Sequence, residues 1–127
     1  MRLVLDSSVL IDHLRGTVPG AGDVFRDALE RSDELWSTCV VRAEVRAGMR
    51  RNEELDTDRL FQQIRWAPVD EVQADLAGEL GRRFGPAYPG IDTPDLLVAA
   101  LALTISGRVV TKNVKHFPMF PELRAPY

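Results

Sequence analysis

Three carboxylates stand where an α/β chain could bring them together: Asp6 directly after an apolar segment, Glu44 within Ala43-Glu44-Val45, and Asp95 in Thr93-Pro94-Asp95. Carboxylates gathered in a partly dehydrated pocket repel one another strongly unless a positive charge sits among them. A hard divalent ion is the simplest such charge, and Mg²⁺ or Mn²⁺ suits coordination by carboxylates and water. Singly, each acid has a plainer role. Asp6 serves as a helix N-cap, Asp95 as the acid of a first helical turn, and Glu44 as an exposed helix residue. Glu44, however, is followed three and four positions on by Ala47 and Gly48, so no basic neighbour on its own helix holds it. Taken together, the three acids favour a metal site.

Other chemistries are poorly supplied. The sole thiol, Cys39, falls in an expected strand, and neither His13 nor His116 has a sequence partner for a nucleophile–base pair. One cysteine and two histidines fall short of the roughly four nitrogen or sulfur ligands of a structural zinc site. Gly16, Gly20 and Gly22 lack both the spacing and the preceding strand of a phosphate-cradling loop. Asp6-Ser7-Ser8 lacks the Asp-x-Asp pattern of a phosphoaspartate phosphatase.

The elements that must position the acids are legible in outline. Arg2–Leu5 reads as a strand ending at Asp6; Ser7 and Ser8 offer N-cap chemistry to a short helix carrying Val9, Leu10, Ile11 and Leu14, stopped by Gly16. After Pro19-Gly20, Val24, Phe25, Ala28 and Leu29 recur at helical spacing. Leu35–Val40 reads as a second strand, followed by a helix over about Val41–Arg51. Leu55, Leu60, Phe61 and Ile64 suggest another helix, and Trp66–Val69 a third strand. Val72, Leu76, Leu80 and Phe84 form one apolar helical stripe, and a Gly/Pro-rich loop runs from Gly85 to Gly90. Thr93 is the expected N-cap of the next helix, with Pro94 in its first turn, and Asp92 is expected in the preceding loop. That helix is apolar nearly all round from Leu96 to Ile105, so it is expected at the centre. Arg108–Thr111 reads as the last strand, ending in Thr111-Lys112-Asn113. Short strands alternating with helices imply a parallel α/β sheet covered on both faces, whose ligands bind beyond the strands' carboxyl ends.

Composition narrows the class. At 127 residues, 45% hydrophobic and 28% charged, the chain is expected to form a single domain over residues 1–127. Its longest apolar run, Leu96–Leu103, is far shorter than the ~20 residues of a membrane-spanning helix. One cysteine and no export signal point to the cytoplasm. Net charge is −3, unlike that of a strongly basic nucleic-acid wrapper, although 14 of the 16 basic residues are arginine, whose fork suits phosphate. A bias toward arginine codons explains that excess equally well.

Four segments in order carry a family resemblance: Leu3-Val4-Leu5-Asp6-Ser7-Ser8-Val9-Leu10-Ile11-Asp12, Ala43-Glu44-Val45-Arg46-Ala47-Gly48, Asp95-Leu96-Leu97-Val98-Ala99-Ala100, and Val110-Thr111-Lys112-Asn113-Val114-Lys115-His116-Phe117. The series resembles PIN-domain proteins, and among them the VapC ribonuclease toxins of bacterial toxin–antitoxin pairs. The likeness extends from Arg2 to about Phe120. It implies a three-layer α/β/α fold with a small central parallel sheet, and a Mg²⁺- or Mn²⁺-dependent endoribonuclease. By resemblance, Asp6, Glu44 and Asp95 hold the metal, with Glu44 the ligand that could act through water. Asn113 completes the catalytic set, Ser7 and Thr111 support it through hydrogen bonds, and Arg42, Arg46, Lys112 and Lys115 contact substrate phosphates. Family members often carry a fourth acid at the position of Asn113 or of His116; both carboxylates are absent here, and Asn113 offers a carbonyl oxygen without charge. The resemblance also implies an RNA substrate, a VapB-like antitoxin that places a cation among the acids, and a homodimer or toxin–antitoxin hetero-oligomer, with no membrane association. Two rival readings compete: a PIN-like protein- or RNA-binding module without activity, and a receiver-like phosphorylated domain. The second needs paired acids after the first strand, where Asp6 stands alone.

Overall fold

The computed structural model describes residues 1–127. Strand β1 (Arg2–Leu5) is followed by helices α1 (Ser7–Arg15) and α2 (Ala21–Glu30), then by β2 (Glu34–Thr38), α3 (Cys39–Ala47) and α4 (Glu54–Phe61). The chain continues through β3 (Arg65–Ala67), α5 (Glu71–Phe84), α6 (Thr93–Ile105), β4 (Arg108–Val110) and a 3₁₀ turn at Val114–His116. The four strands form one parallel sheet in the order β3-β2-β1-β4. Leu3 lies between Leu35 and Arg108, and Val4 between Trp36 and Val109.

From β1 the chain steps outward to β2 and β3, then crosses back over the sheet to place β4 on the other side of β1. Right-handed crossovers in opposite directions put α1–α4 on one face and α5–α6 on the other. The three layers expected from the alternating pattern follow. Leu3, Val4 and Leu5 are buried in succession, as a strand covered on both faces requires. Helix α6 is buried from Leu97 through Ala102 and packs on α5, β1, β2 and β4. Burying each large aliphatic side chain in this core contributes about 1.5–3 kcal/mol. Gly81 of α5 lets the two helices close up: a Cβ there would come within 3.0 Å of Leu96 Cδ1.

Several boundaries differ from the expectation, each for a local reason. The second strand stops at Thr38 because the Thr38 hydroxyl accepts from Val41 N–H at 3.1 Å and caps α3. Cys39 therefore opens a helix and is exposed instead of lying in a strand. Helix α3 ends at Ala47, before Gly48, well short of Arg51. The third strand runs Arg65–Ala67 and stops ahead of Pro68, which has no N–H for a ladder. Val72, although in phase with the buried stripe of α5, is exposed at the first turn. Thr93 is the first residue of α6, and the N-cap is Asp92: its Oδ1 accepts from Asp95 N–H at 3.1 Å, while Asp92 N–H donates to Asp95 Oδ2 at 3.4 Å. This reciprocal box satisfies two backbone donors.

Candidate active site

The reversal of strand order between β1 and β4 opens a crevice at their carboxyl ends, the usual ligand position in an open parallel sheet. Asp6 is the first residue past β1 and Thr111 the first past β4. Asp6 is 4% exposed, so its carboxylate needs donors, and it has three. Oδ1 accepts from Ser8 N–H at 3.0 Å and Ser8 Oγ–H at 2.5 Å, and Oδ2 accepts from the Thr111 hydroxyl. Asp6 is thus both the N-cap of α1 and a fixed wall of the crevice. The loop after β4 is tied to the same group. Asn113 N–H donates to Thr111 Oγ1 at 2.9 Å, and Lys112 N–H to Ser8 Oγ at 3.3 Å. Beneath, the buried Ser37 hydroxyl donates to Leu5 carbonyl oxygen at 2.6 Å.

Asp6, Ser7, Glu44, Asp92, Asp95, Asn113 and His116, with Val41, Pro94 and Val98, line one pocket of about 120 Å³. The four carboxylates face no lysine or arginine among these lining residues. Burial first, and then the Asp92 and Asp6 charges, raise the Glu44 carboxyl above its ordinary value. Asp95 is pushed up to about 7, by burial first and then by its hydrogen bond with, and the charge of, Asp92, against the opposing influence of His116. Both shifts come first from burial and then from the neighbouring acids, which disfavour the charged carboxylates.

The donor set (carboxylates, the Asn113 carbonyl and one imidazole) fits a hard or borderline divalent ion. In this arrangement the acids share a pocket but not a point, because no three histidine, aspartate or glutamate side chains converge closely enough to hold one ion. Both Asp6 oxygens are engaged by Ser8 and Thr111, and His116 Nδ1 lies 3.1 Å from Asp95 Oδ2.

That last contact gives His116 a carboxylate neighbour that the sequence did not announce, and it supplies no nucleophile–base pair. The 3₁₀ turn Val114–His116 swings the imidazole back over the start of α6. Asp92, expected in the loop before α6, caps that helix, lines the pocket and bonds Asp95 N–H. Its signal was its position three residues before an acid ahead of an apolar run, which is the capping-box spacing. The Thr111 hydroxyl bonds Asp6, and the serine that does so is Ser8, while Ser7 lines the pocket. Arg42 and Arg46 are turned away from the acids. Arg42 lies 4.8 Å from the Phe61 ring centre and 5.1 Å from that of Trp66, and Arg46 pairs with Asp58 at 2.7 Å and covers Phe61. Lys112 reaches Asp12, and Lys115 is exposed. A larger hollow of about 620 Å³ lies between β4 and residues 119–126, with Arg108, Glu122 and Arg124 as its only charged lining, and holds no acid cluster.

With this geometry in hand, known proteins give a consistent match. The PIN-domain profile matches residues 3–120. Ribonuclease VapC19 of Mycobacterium tuberculosis is 36% identical over 124 residues, covering 98% of each chain. Ribonuclease VapC10 of the same organism is 38% identical over 125 residues, covering 98% of this chain and 92% of that one. In fold, the chain superposes on VapBC2 from Rickettsia felis, solved with a promoter DNA fragment, with a TM-score of 0.76 at 19% identity over 98% and 97% of the two chains. Profile, near-full-length relatives and sheet architecture agree that this protein belongs to the PIN-domain family, in its VapC group.

Proposed function

We propose that the protein is the ribonuclease toxin of a VapBC-type pair, a single-domain endoribonuclease that hydrolyses RNA phosphodiester bonds with Mg²⁺ or Mn²⁺. The observation that carries this reading is the assembly of Asp6, Glu44 and Asp95 from three distant stretches of chain around one pocket with no lysine or arginine in its lining. Relatives of near-identical length named ribonucleases support the substrate class.

Asp6 and Asp95 are the direct ligands in this reading, and Glu44, the more exposed acid, holds the ion or orients the attacking water. A bound divalent ion would supply Lewis acidity, lowering the pKa of water and offsetting charge on the scissile phosphate. Thr111 and Ser8 hold the Asp6 carboxylate in one rotamer, and the Asp92 cap with His116 does the same for Asp95. Such support of ligands by surrounding hydrogen bonds keeps their geometry and basicity. Asn113 contributes its amide oxygen. Lys115, exposed in the loop after β4, is a better phosphate contact than Arg42 and Arg46, which are engaged by Phe61, Trp66 and Asp58, or than Lys112, which pairs with Asp12.

A VapB-like antitoxin is the expected partner, within a hetero-oligomer or beside a second copy of the chain. An antitoxin side chain such as arginine, set among the carboxylates, would supply the lysine or arginine charge that the pocket lining lacks. The cytoplasm, which holds RNA and leaves the exposed Cys39 reduced, is its compartment. A non-catalytic PIN module is the second reading, favoured by Asn113 at the fourth acidic position and by acids that do not converge. Incubating RNA with wild type and Asp6→Ala in Mg²⁺ or Mn²⁺ decides between them: cleavage lost in the variant is expected, and identical traces refute the enzyme.

A further inference from the structure

We infer that Asp12 and Tyr127 are positioning residues that hold the Lys112 ammonium out of the acidic pocket, so that the pocket's charge stays available to a divalent cation. This inference rests on the metal-dependent reading above. Lys112 follows Thr111, whose hydroxyl touches Asp6, and its own N–H is tied to Ser8 Oγ. From that anchored backbone a flexible four-carbon stem carries a mobile positive charge. The pocket beside it collects Asp6, Glu44, Asp92 and Asp95 with no lysine or arginine of its own. An unrestrained ammonium at that position would be drawn among the four carboxylates and would occupy the space of a metal ion.

It is restrained instead. Lys112 Nζ pairs with Asp12 Oδ2, and the Tyr127 hydroxyl donates to the same oxygen at 2.7 Å. Asp12 lies one helical turn beyond Ser8 on α1, and paired to it Lys112 stays outside the lining of the acidic pocket. The Tyr127 ring stands 5.9 Å from Lys112 Nζ, adding an aromatic face to the carboxylate. Tyr127 is itself held by close packing: a Cβ on Gly20 would come within 2.7 Å of Tyr127 Cβ, and Gly20 adopts φ +87°, so only glycine serves there. Burial raises the Asp12 carboxyl, but hydrogen bonds from Lys112 and Tyr127 and the lysine charge outweigh it and leave the group below its ordinary value. The clasp is thus a charged pair fixed on the carboxylate side.

The test is calorimetric titration of MnCl₂ into the metal-free full chain, with folding checked by circular dichroism. Asp12→Asn is expected to weaken Mn²⁺ binding roughly tenfold, as loss of an outer partner of a metal site does. Tyr127→Phe, which removes only the hydroxyl, is expected to weaken it measurably and serves alone if Asp12→Asn does not fold. Adding Lys112→Met to either variant should restore the wild-type affinity, because the competing charge is gone. Wild-type affinity in both single variants overturns the inference, as does a double variant as weak as its parent, which would mark the loss as structural. Absence of Mn²⁺ binding by the wild type itself overturns the metal-dependent reading and the clasp together.

Discussion

The Thr111 hydroxyl donates to Asp6 Oδ2 across 105 residues of sequence, joining the end of the first strand to the end of the last. Thr111 is fully buried, so no water stands ready to replace it. Thr111→Val keeps the shape and leaves a buried carboxylate oxygen without its donor, at a cost of about 1–3 kcal/mol. Thermal unfolding should show a drop of about 3–10 °C, with RNA cleavage reduced as the Asp6 rotamer loosens. Unchanged stability and cleavage would show that the bond carries nothing.

Asp95 gives a pH dependence of definite sign. Its folded-state pKa of about 7 lies above the ordinary 3.8, so the fold favours the protonated carboxyl. The resulting stability is full below about pH 4 and disappears as pH rises through 7. In EDTA, the melting temperature of Asp95→Asn should exceed that of wild type by a margin that grows from pH 5 to pH 8, and in Mg²⁺ or Mn²⁺ its RNA cleavage should be nearly abolished relative to wild type. A large loss of stability at every pH would instead make Asp95 chiefly a cap for α6.

His13 works in the opposite sense. Its ring packs 4.2 Å from that of Phe25, Nδ1 is buried without a partner, and burial lowers its pKa from the ordinary 6.5. The unfolded chain therefore takes up this proton more readily, and stability falls as pH drops below about 6.5. His13→Leu should raise the melting temperature, and raise it more at pH 5 than at pH 8. Equal shifts at both values would clear the imidazole.

Asn113→Asp adds a fifth carboxylate to the pocket. Mn²⁺ affinity should rise roughly tenfold, since charge count tunes such sites, and the metal-free protein should melt lower through added repulsion. Calorimetry showing no gain removes Asn113 from the site.

What the sequence revealed of this fold and what it concealed divide along a physical line. The strand β1, the glycine stop at Gly16 and the all-apolar α6 were legible because each is encoded within a few residues. The shared lining of Asp6, Glu44 and Asp95 was legible only in part: parallel α/β topology brings the carboxyl end of β1 and the start of α6 to one edge, while the acids stop short of a common point. Features decided by competition between neighbours were not legible. Thr38 caps α3 and claims Cys39 for the helix, and Asp92 outcompetes Thr93 as N-cap because its carboxylate reaches the Asp95 N–H. The His116–Asp95 contact depends on how the 3₁₀ turn folds back, and the Arg42 and Arg46 directions depend on where Phe61 and Asp58 fall. None of these has a periodicity to announce it.

The strand order β3-β2-β1-β4 has a temporal consequence. During synthesis β1 emerges about a hundred residues ahead of β4, so one of its flanks stays bare until residues 108–110 follow. The threonine that steadies Asp6 and the asparagine beside it come at positions 111 and 113 of 127. Fragments released before residue 111 has been added therefore lack a finished crevice, whichever of the acids they already carry.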